Sequence, residues 1–186
     1  MEKNRDDALK LLGACVKNDR LLSHCFASEA VMKALARRLG ADERAWGLAG
    51  LMHDLDAEIT GGDLSVHGLE TEKILAAEGY DPGVIDAIKR HNEAAHDLKR
   101  ESVFHHALAA GETITGLITA TALVYPDKKV ASVKTKSVVK RMKERSFAAS
   151  VNRDIIMECE TIGLPLEEFV SICLGAMQEI GGDIGL

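Results

Sequence analysis

Aromatic residues are scarce: Phe, Tyr and Trp make up 4% of the 186 residues, so Leu, Ile, Val, Ala and Met must fill any core. Only three prolines interrupt the chain, and its apolar residues recur mostly with helical rather than alternating spacing. No apolar run reaches the ~18 residues that a membrane-spanning helix needs, so no membrane association is expected. The first residues, MEKNRDDALKLLG, lack the basic-then-apolar layout of a secretory leader. The four cysteines, Cys15, Cys25, Cys159 and Cys173, form no CxxC pair. They are expected to be small buried hydrophobes in a reducing cytoplasm, not a disulfide frame or a zinc knuckle. No Walker loop, Rossmann glycine pattern or GxSxG elbow is present either.

What is present suits one all-α domain spanning residues 1–186. Its net charge of −6 argues against general nucleic-acid binding. The charge is uneven, however. From Asp127 to Arg145 eight Lys/Arg face two acids, a local +6 that leaves −12 on the remainder. Such a segment is either a solvated helix face or a phosphate-holding surface beside an acidic body.

The first helix is expected over Asp6–Lys17 and the second from about Leu21 to Leu39, stopped by Gly40. Asp42 reads as the N-cap of a helix through Trp46, Ala49 and Met52 that ends near His53. Turn chemistry follows at Gly61-Gly62. Ser65 is a candidate cap for the next helix, through Leu69 and Ile74 to about Glu78, and Pro82 suits the first turn of another. There Val84, Ala87, Ile88 and His91 share one face. A long helix is expected from Ser102 to Leu123, with three more in the last third, broken near Ser150–Asn152 and Gly163–Pro165. The final stripe, Phe169, Ile172, Cys173, Ala176 and Ile180, is a packing face that also offers a surface for a homodimer.

The histidines carry the chemistry. His53 and Asp54 end an apolar helical run, and at a helix end the two side chains can converge on one ion although their helical directions lie about 100° apart. His24 has Ala27, Ser28 and Val31 on the adjoining turn, His67 opens a helix, and His91 closes an apolar stripe. Glu112 sits among Ala109, Ala110, Gly111 and Gly116. Each of these residues has small or short neighbours that leave room for a shared ion. Imidazole mixed with carboxylate suits Mn, Fe, Co, Ni or Zn rather than Ca.

This arrangement, His24, then His53-Asp54, then an acid in a small-residue helix, resembles the HD-domain superfamily of metal-dependent phosphohydrolases. The stretches LLSHCFASEAVMKALARRLG, WGLAGLMHDLDAE, VIDAIKRHN and AAGETITGLITATALVYPDKK extend the resemblance over nearly the whole chain. It implies a helical bundle with a metal at its centre, held by an H…HD…D pattern. The metal-binding core would cover about residues 20–125, with C-terminal helices over about 130–182 packed on it. The last ligand in such proteins is usually Asp; here Glu112, one methylene longer, takes its place. His67 and His91 match the extra histidines of branches with dinuclear centres. The resemblance thus implies one divalent ion, or two, with His24, His53, Asp54, His67, His91 and Glu112 as ligands. Around a single ion, His67 and His91 would hydrogen-bond substrate phosphate instead. His96, His105 and His106 are expected at the surface.

A bound divalent ion lowers the pKa of its water and polarises a phosphoryl oxygen. Asp54 is placed to guide that water, and Asp56, Glu58 and Asp63 are the acids nearby. HDLDAEITGGD is similar to the HD…E…TGD arrangement of HD-type 5′-nucleotidases, which makes Glu58 and Asp63 candidate catalytic acids. Lys134, Lys136, Lys140, Arg141 and Arg145 are the pool for phosphate binding, with Lys136, Lys140 and Arg141 foremost. No lysine follows the doublet as in an HDxGK signature. The leading expectation is hydrolysis of a nucleotide or another small phosphate ester. A dinuclear-iron oxygenase and a non-catalytic metal-binding module are the alternatives.

Overall fold

Asparagine and aspartate mark where the first helices start. Asn4 opens α1 (Arg5–Cys15) in a capping box with Asp7. Asn18 opens α2 (Asp19–Leu39) and Asp42 opens α3 (Glu43–Met52), each side chain accepting from two free N–H groups of the first turn. The α3 cap is the expected Asp42, while α1 and α2 start one and two residues before the expected positions, because their capping side chains lie outside the apolar stripe. The computed structural model describes residues 3–96 and 98–186. Among them every regular element is a helix or a short 3-10 turn.

Beyond the His53-Asp54 doublet the chain makes one further turn of helix, α4 (Ala57–Thr60), before Gly61 and Gly62 take positive φ. The next helix, α5 (Leu69–Ala77), begins well after Ser65. Ser65 is instead bound to Asp63, and the first N–H groups of α5 are served by Asp56. Gly68 allows this with a φ of 95° that residues with a Cβ rarely adopt. α6 (Pro82–His91) starts at Asp81 with proline in its first turn, and α7 (Val103–Leu123) starts at Ser102. α8 (Thr135–Met142), α9 (Arg153–Ile156) and α10 (Leu166–Glu179) complete the chain, with breaks at Asn152 and Gly163–Pro165.

α2 runs through the centre, packed against α3, α7 and α10. Its contact with α3 is closed by glycine: a Cβ on Gly50 would lie 2.5 Å from the Ser28 carbonyl oxygen. Gly111 does the same for α7, facing Val31, Met32 and Leu35. The core is aliphatic, with Leu12, Leu35, Leu51, Leu75, Ile88 and Ile114 fully enclosed, each side chain contributing about 1.5–3 kcal/mol. Trp46 on α3 stacks on Phe104 in the first turn of α7, rings parallel at 5.0 Å. Cys25, Cys159 and Cys173 are buried as free thiols, and Cys15 is half-buried. No helix among the described residues is long and apolar enough to cross a membrane.

A candidate metal centre between the central helices

Four helices and one turn bring six side chains together. His24 comes from the middle of α2, His53 and Asp54 from the end of α3, His67 from the turn before α5, His91 from the last position of α6, and Glu112 from mid-α7. They form two groups of potential metal ligands: His24, His53 and Glu112 in one, Asp54, His67 and His91 in the other. In the first, the Nε2 atoms of His24 and His53 are 3.1 Å apart and Glu112 Oε2 lies 3.8 Å from His24 Nε2. In the second, the Nε2 atoms of His67 and His91 are 3.0 Å apart, and Asp54 Oδ1 lies 3.0 and 3.8 Å from them. Asp54 faces both groups: Oδ1 is also 3.4 Å from His53 Nε2, and Oδ2 is 3.6 Å from His24 Nε2.

The far side of each imidazole is tied down. His53 Nδ1–H donates to the Gly50 carbonyl at 2.8 Å and His91 Nδ1–H to the Ile88 carbonyl at 2.5 Å. His67 Nδ1–H donates to Asp56 Oδ1 at 2.7 Å. His24 Nδ1–H donates to the Thr115 hydroxyl at 2.9 Å, whose own proton goes to the Glu112 carbonyl. All four rings therefore turn Nε2 inward, the nitrogen that carries the lone pair when the ring is neutral.

Charge follows from these surroundings. Burial lowers His24, and takes His53 down to about 4 and His91 to about 3, so all three are neutral near pH 7. In the first group two lone pairs then face each other at 3.1 Å with no proton to share. That is unfavourable until a cation lies between them. The spacing fits, since two nitrogens at right angles on one ion, each bonded at ~2.1 Å, are about 3.0 Å apart. Burial also raises the Glu112 carboxyl to about 8, although the Thr113 hydroxyl works against it. In the second group burial opposes a charge on His67, but the carboxylates of Asp54 and Asp56 outweigh it and raise the ring to about 10. Without metal, His67 keeps a proton that an ion would replace. Asp54 is held far below the usual carboxylate range: burial pushes it up, but His53 and the other rings outweigh that. The donor set, four imidazoles and two carboxylates, fits divalent transition metals.

The match to a family model settles the relationship: the HD domain model covers residues 21–119, more than half of the chain. The chain belongs to the HD domain family. No curated protein and no solved structure matches it significantly. HD domains belong to a superfamily of metal-dependent hydrolases, and this HD domain has a His/Asp cluster able to hold such a metal.

Other residues singled out by the sequence lie elsewhere. Glu58 accepts from the Lys17 and Asn18 backbone N–H groups at 2.9 and 2.7 Å, closing the turn into α2. Asp63 accepts from the Ser65 N–H and hydroxyl. Neither is joined to the six ligands by a hydrogen bond or ion pair among the described residues. The same holds for Lys136, Lys140 and Arg141 on α8. Lys140 and Arg141 face Glu144, Arg141 also lies over the Phe147 ring, and Lys136 has no ion pair among the described residues.

The surface expectation for His105 and His106 is corrected. His105 is buried, its Nδ1 accepting from the Glu101 and Ser102 N–H groups at the start of α7 and its Nε2 2.9 Å from Asp86. His106 is half-buried, with Nδ1 2.7 Å from Glu158, and His96 is half-buried against the Lys89 carbonyl. In each case a helix end supplies a polar partner that a linear reading does not show.

Three supporting residues escaped the sequence. Asp56 is fully buried and anchors His67 and the start of α5 at once. Thr115 orients His24. Arg100 donates to the Arg90 and His91 carbonyls at the end of α6 while gripping Glu158 through two nitrogens, which fixes the backbone of His91. Only Asp56 had a signal, as an acid two residues beyond the doublet. Thr115 and Arg100 have none without the fold.

Proposed function

We propose that this HD domain is a metal-dependent phosphohydrolase acting on a nucleotide or another small phosphate ester. One observation carries the reading: two three-residue ligand groups lie side by side with a single carboxylate, Asp54, facing both. A pair of divalent ions so held supplies a nucleophilic water at neutral pH and charge neutralisation for the phosphoryl oxygens. His24, His53 and Glu112 would hold the first and His67 and His91 the second, with Asp54 facing both groups. Asp56 and Thr115 keep His67 and His24 presenting Nε2. The oxygen of water bonds to phosphorus as the ester P–O bond breaks, and the proton that this water gives up ends on the departing oxygen, which leaves as the alcohol. Asp54 orients the attacking water. Glu58 and Asp63 are engaged in turns, so this reading gives them no proton to carry, and it leaves Lys136, Lys140 and Arg141 to solvent and to Glu144.

The same six ligands also favour a second reading, an oxygenase with two irons. Both are tested by metal content per chain after aerobic and anaerobic purification, with His53→Ala as the control, followed by a phosphate-ester panel and oxygen uptake. About two Mn, Co, Ni or Zn per chain, lost in the variant, with phosphate release and no oxygen uptake, is the expected result. Two irons with oxygen uptake and no phosphate release would transfer the site to the second reading. No stoichiometric metal, even after reconstitution, would sink both and leave a non-catalytic module.

A further inference from the structure

Next to the first ligand group, α2, α7 and residues 184–186 enclose a cavity of about 490 Å³. That lies within the roughly 300–1,000 Å³ usual for small-molecule sites. His24, one of the six candidate ligands, and Thr115, which orients it, are among the lining residues, so the cavity adjoins the first ligand group. Leu123, Ile184 and Leu186 give it aliphatic lining, and Arg20, Ser23 and Thr119 give it polar lining. No Asp, Glu, Phe, Tyr or Trp side chain is among its lining residues. A larger cavity of about 590 Å³ lies against Arg5, Glu29 and Lys33, but those cations are already paired with Glu29.

Arg20 is different. It makes no ion pair and no side-chain hydrogen bond among the described residues, and neither do the Ser23 and Thr119 hydroxyls. Arg20 and His24 are four apart on α2 and so share one face, about 5–6 Å between their Cβ atoms. Helical side chains lean toward the helix N-terminus, and Arg20, an exposed residue, lies one turn N-terminal to His24, so its side chain leans away from the candidate ligands. An unpaired, always-charged fork one helical turn from the candidate ligands can receive an anion other than the one at the reacting centre.

We propose that this cavity seats the non-reacting part of the substrate, and that Arg20 receives a second anionic group on it. The substrate class is then a phosphate ester with a further phosphate or carboxylate, its aliphatic skeleton against Leu123 and Ile184 and its hydroxyls toward Ser23 and Thr119. This deepens the phosphohydrolase reading and rests on it for which group reacts, whereas binding can be measured without turnover.

The test uses matched pairs: glycerol phosphate against phosphoglycerate, and a hexose monophosphate against a hexose bisphosphate. Metal-loaded wild type, Arg20→Gln and Arg20→Lys are compared by calorimetric titration and by KM and kcat. Expected is an affinity loss of about ten- to a hundredfold for the doubly anionic member in Arg20→Gln, partial recovery in Arg20→Lys, and little change in kcat or for the singly anionic member. Thr119→Phe, which fills the cavity, should weaken both members. Equal losses on both members in Arg20→Gln would overturn the proposal by placing Arg20 at the reacting phosphate, and no loss on either would remove the cavity from substrate binding. Arg20-dependent binding without any turnover would keep the cavity and sink the hydrolase reading. Turnover indifferent to Arg20 would do the reverse.

Discussion

The two ligand groups are built from the same residue types but held in different ways. His24 and His53 stand on helices locked together at Gly50, with neutral partners behind them, the Thr115 hydroxyl and the Gly50 carbonyl. His67 stands on a turn, and its partner is a buried carboxylate, Asp56, which also holds the start of α5. The first group is thus a facing pair of lone pairs on a stiff frame. The second is an ion pair occupied by a proton, on a frame that one side chain holds. Rigidity comes from packing in one and from charge in the other, and the two should respond differently to substitution and to pH.

The largest effect is expected where the groups meet. Asp54→Ala removes the shared carboxylate, so metal content should fall at both groups and phosphate release should drop below detection; retention of one full ion would show that the groups are independent. Asp56→Asn should separate them. Losing the carboxylate behind His67 is expected to weaken metal binding at the second group by about 10- to 100-fold while sparing the first, as read by competition with a chelator. Equal weakening of both would erase the distinction drawn here.

Gly50→Ala should act on the opposite side. Its Cβ would meet the Ser28 carbonyl, forcing α2 and α3 apart at a cost of about 1–3 kcal/mol. A lower denaturation midpoint with the first ion loosened more than the second is expected. The smallest effect is in pH. Glu112 keeps its proton up to about 8 against an ordinary 4.5, and His67 up to about 10 against 6.5, so each stabilises the metal-free fold below its ordinary value and loses that contribution as pH rises. His53 and His91, at about 4 and 3, have lost their protons well before this range. Between pH 6.5 and 8 the metal-free melting temperature should therefore fall by a few degrees, at roughly 2–4 °C per kcal/mol. The gap to the loaded protein should widen, because metal replaces both protons. A flat metal-free profile would count against the charge-held second group.

The sequence shows the ligands better than what holds them. His24, His53, Asp54, His91 and Glu112 stand out in the sequence because each interrupts or ends an apolar or small-residue stretch, and His67 because it opens a helix; the resemblance joins them as candidate ligands, and the fold brings them together. The helices were legible from the spacing of those apolar stretches, apart from α4 and the start of α5, where one distant side chain, Asp56, sets the boundary. Glu58 and Asp63 were drawn to the site by proximity along the chain, yet a turn of a few residues is enough to point a carboxylate at backbone N–H groups instead. A lone arginine near a helix start, such as Arg20, has no pattern in the sequence; its place beside the cavity comes from the facing wall of α7.

The stacked pair at the opposite end of α3 has a practical consequence. Trp46 is the chain's single tryptophan, and it rests flat on Phe104. It therefore belongs to the joint between the helix that ends at His53 and the helix that carries Glu112. Its emission under ultraviolet excitation comes from that joint alone, so titrating metal into the unlabelled protein while following one fluorescence band would read, in real time, how firmly the two helices close on what they hold.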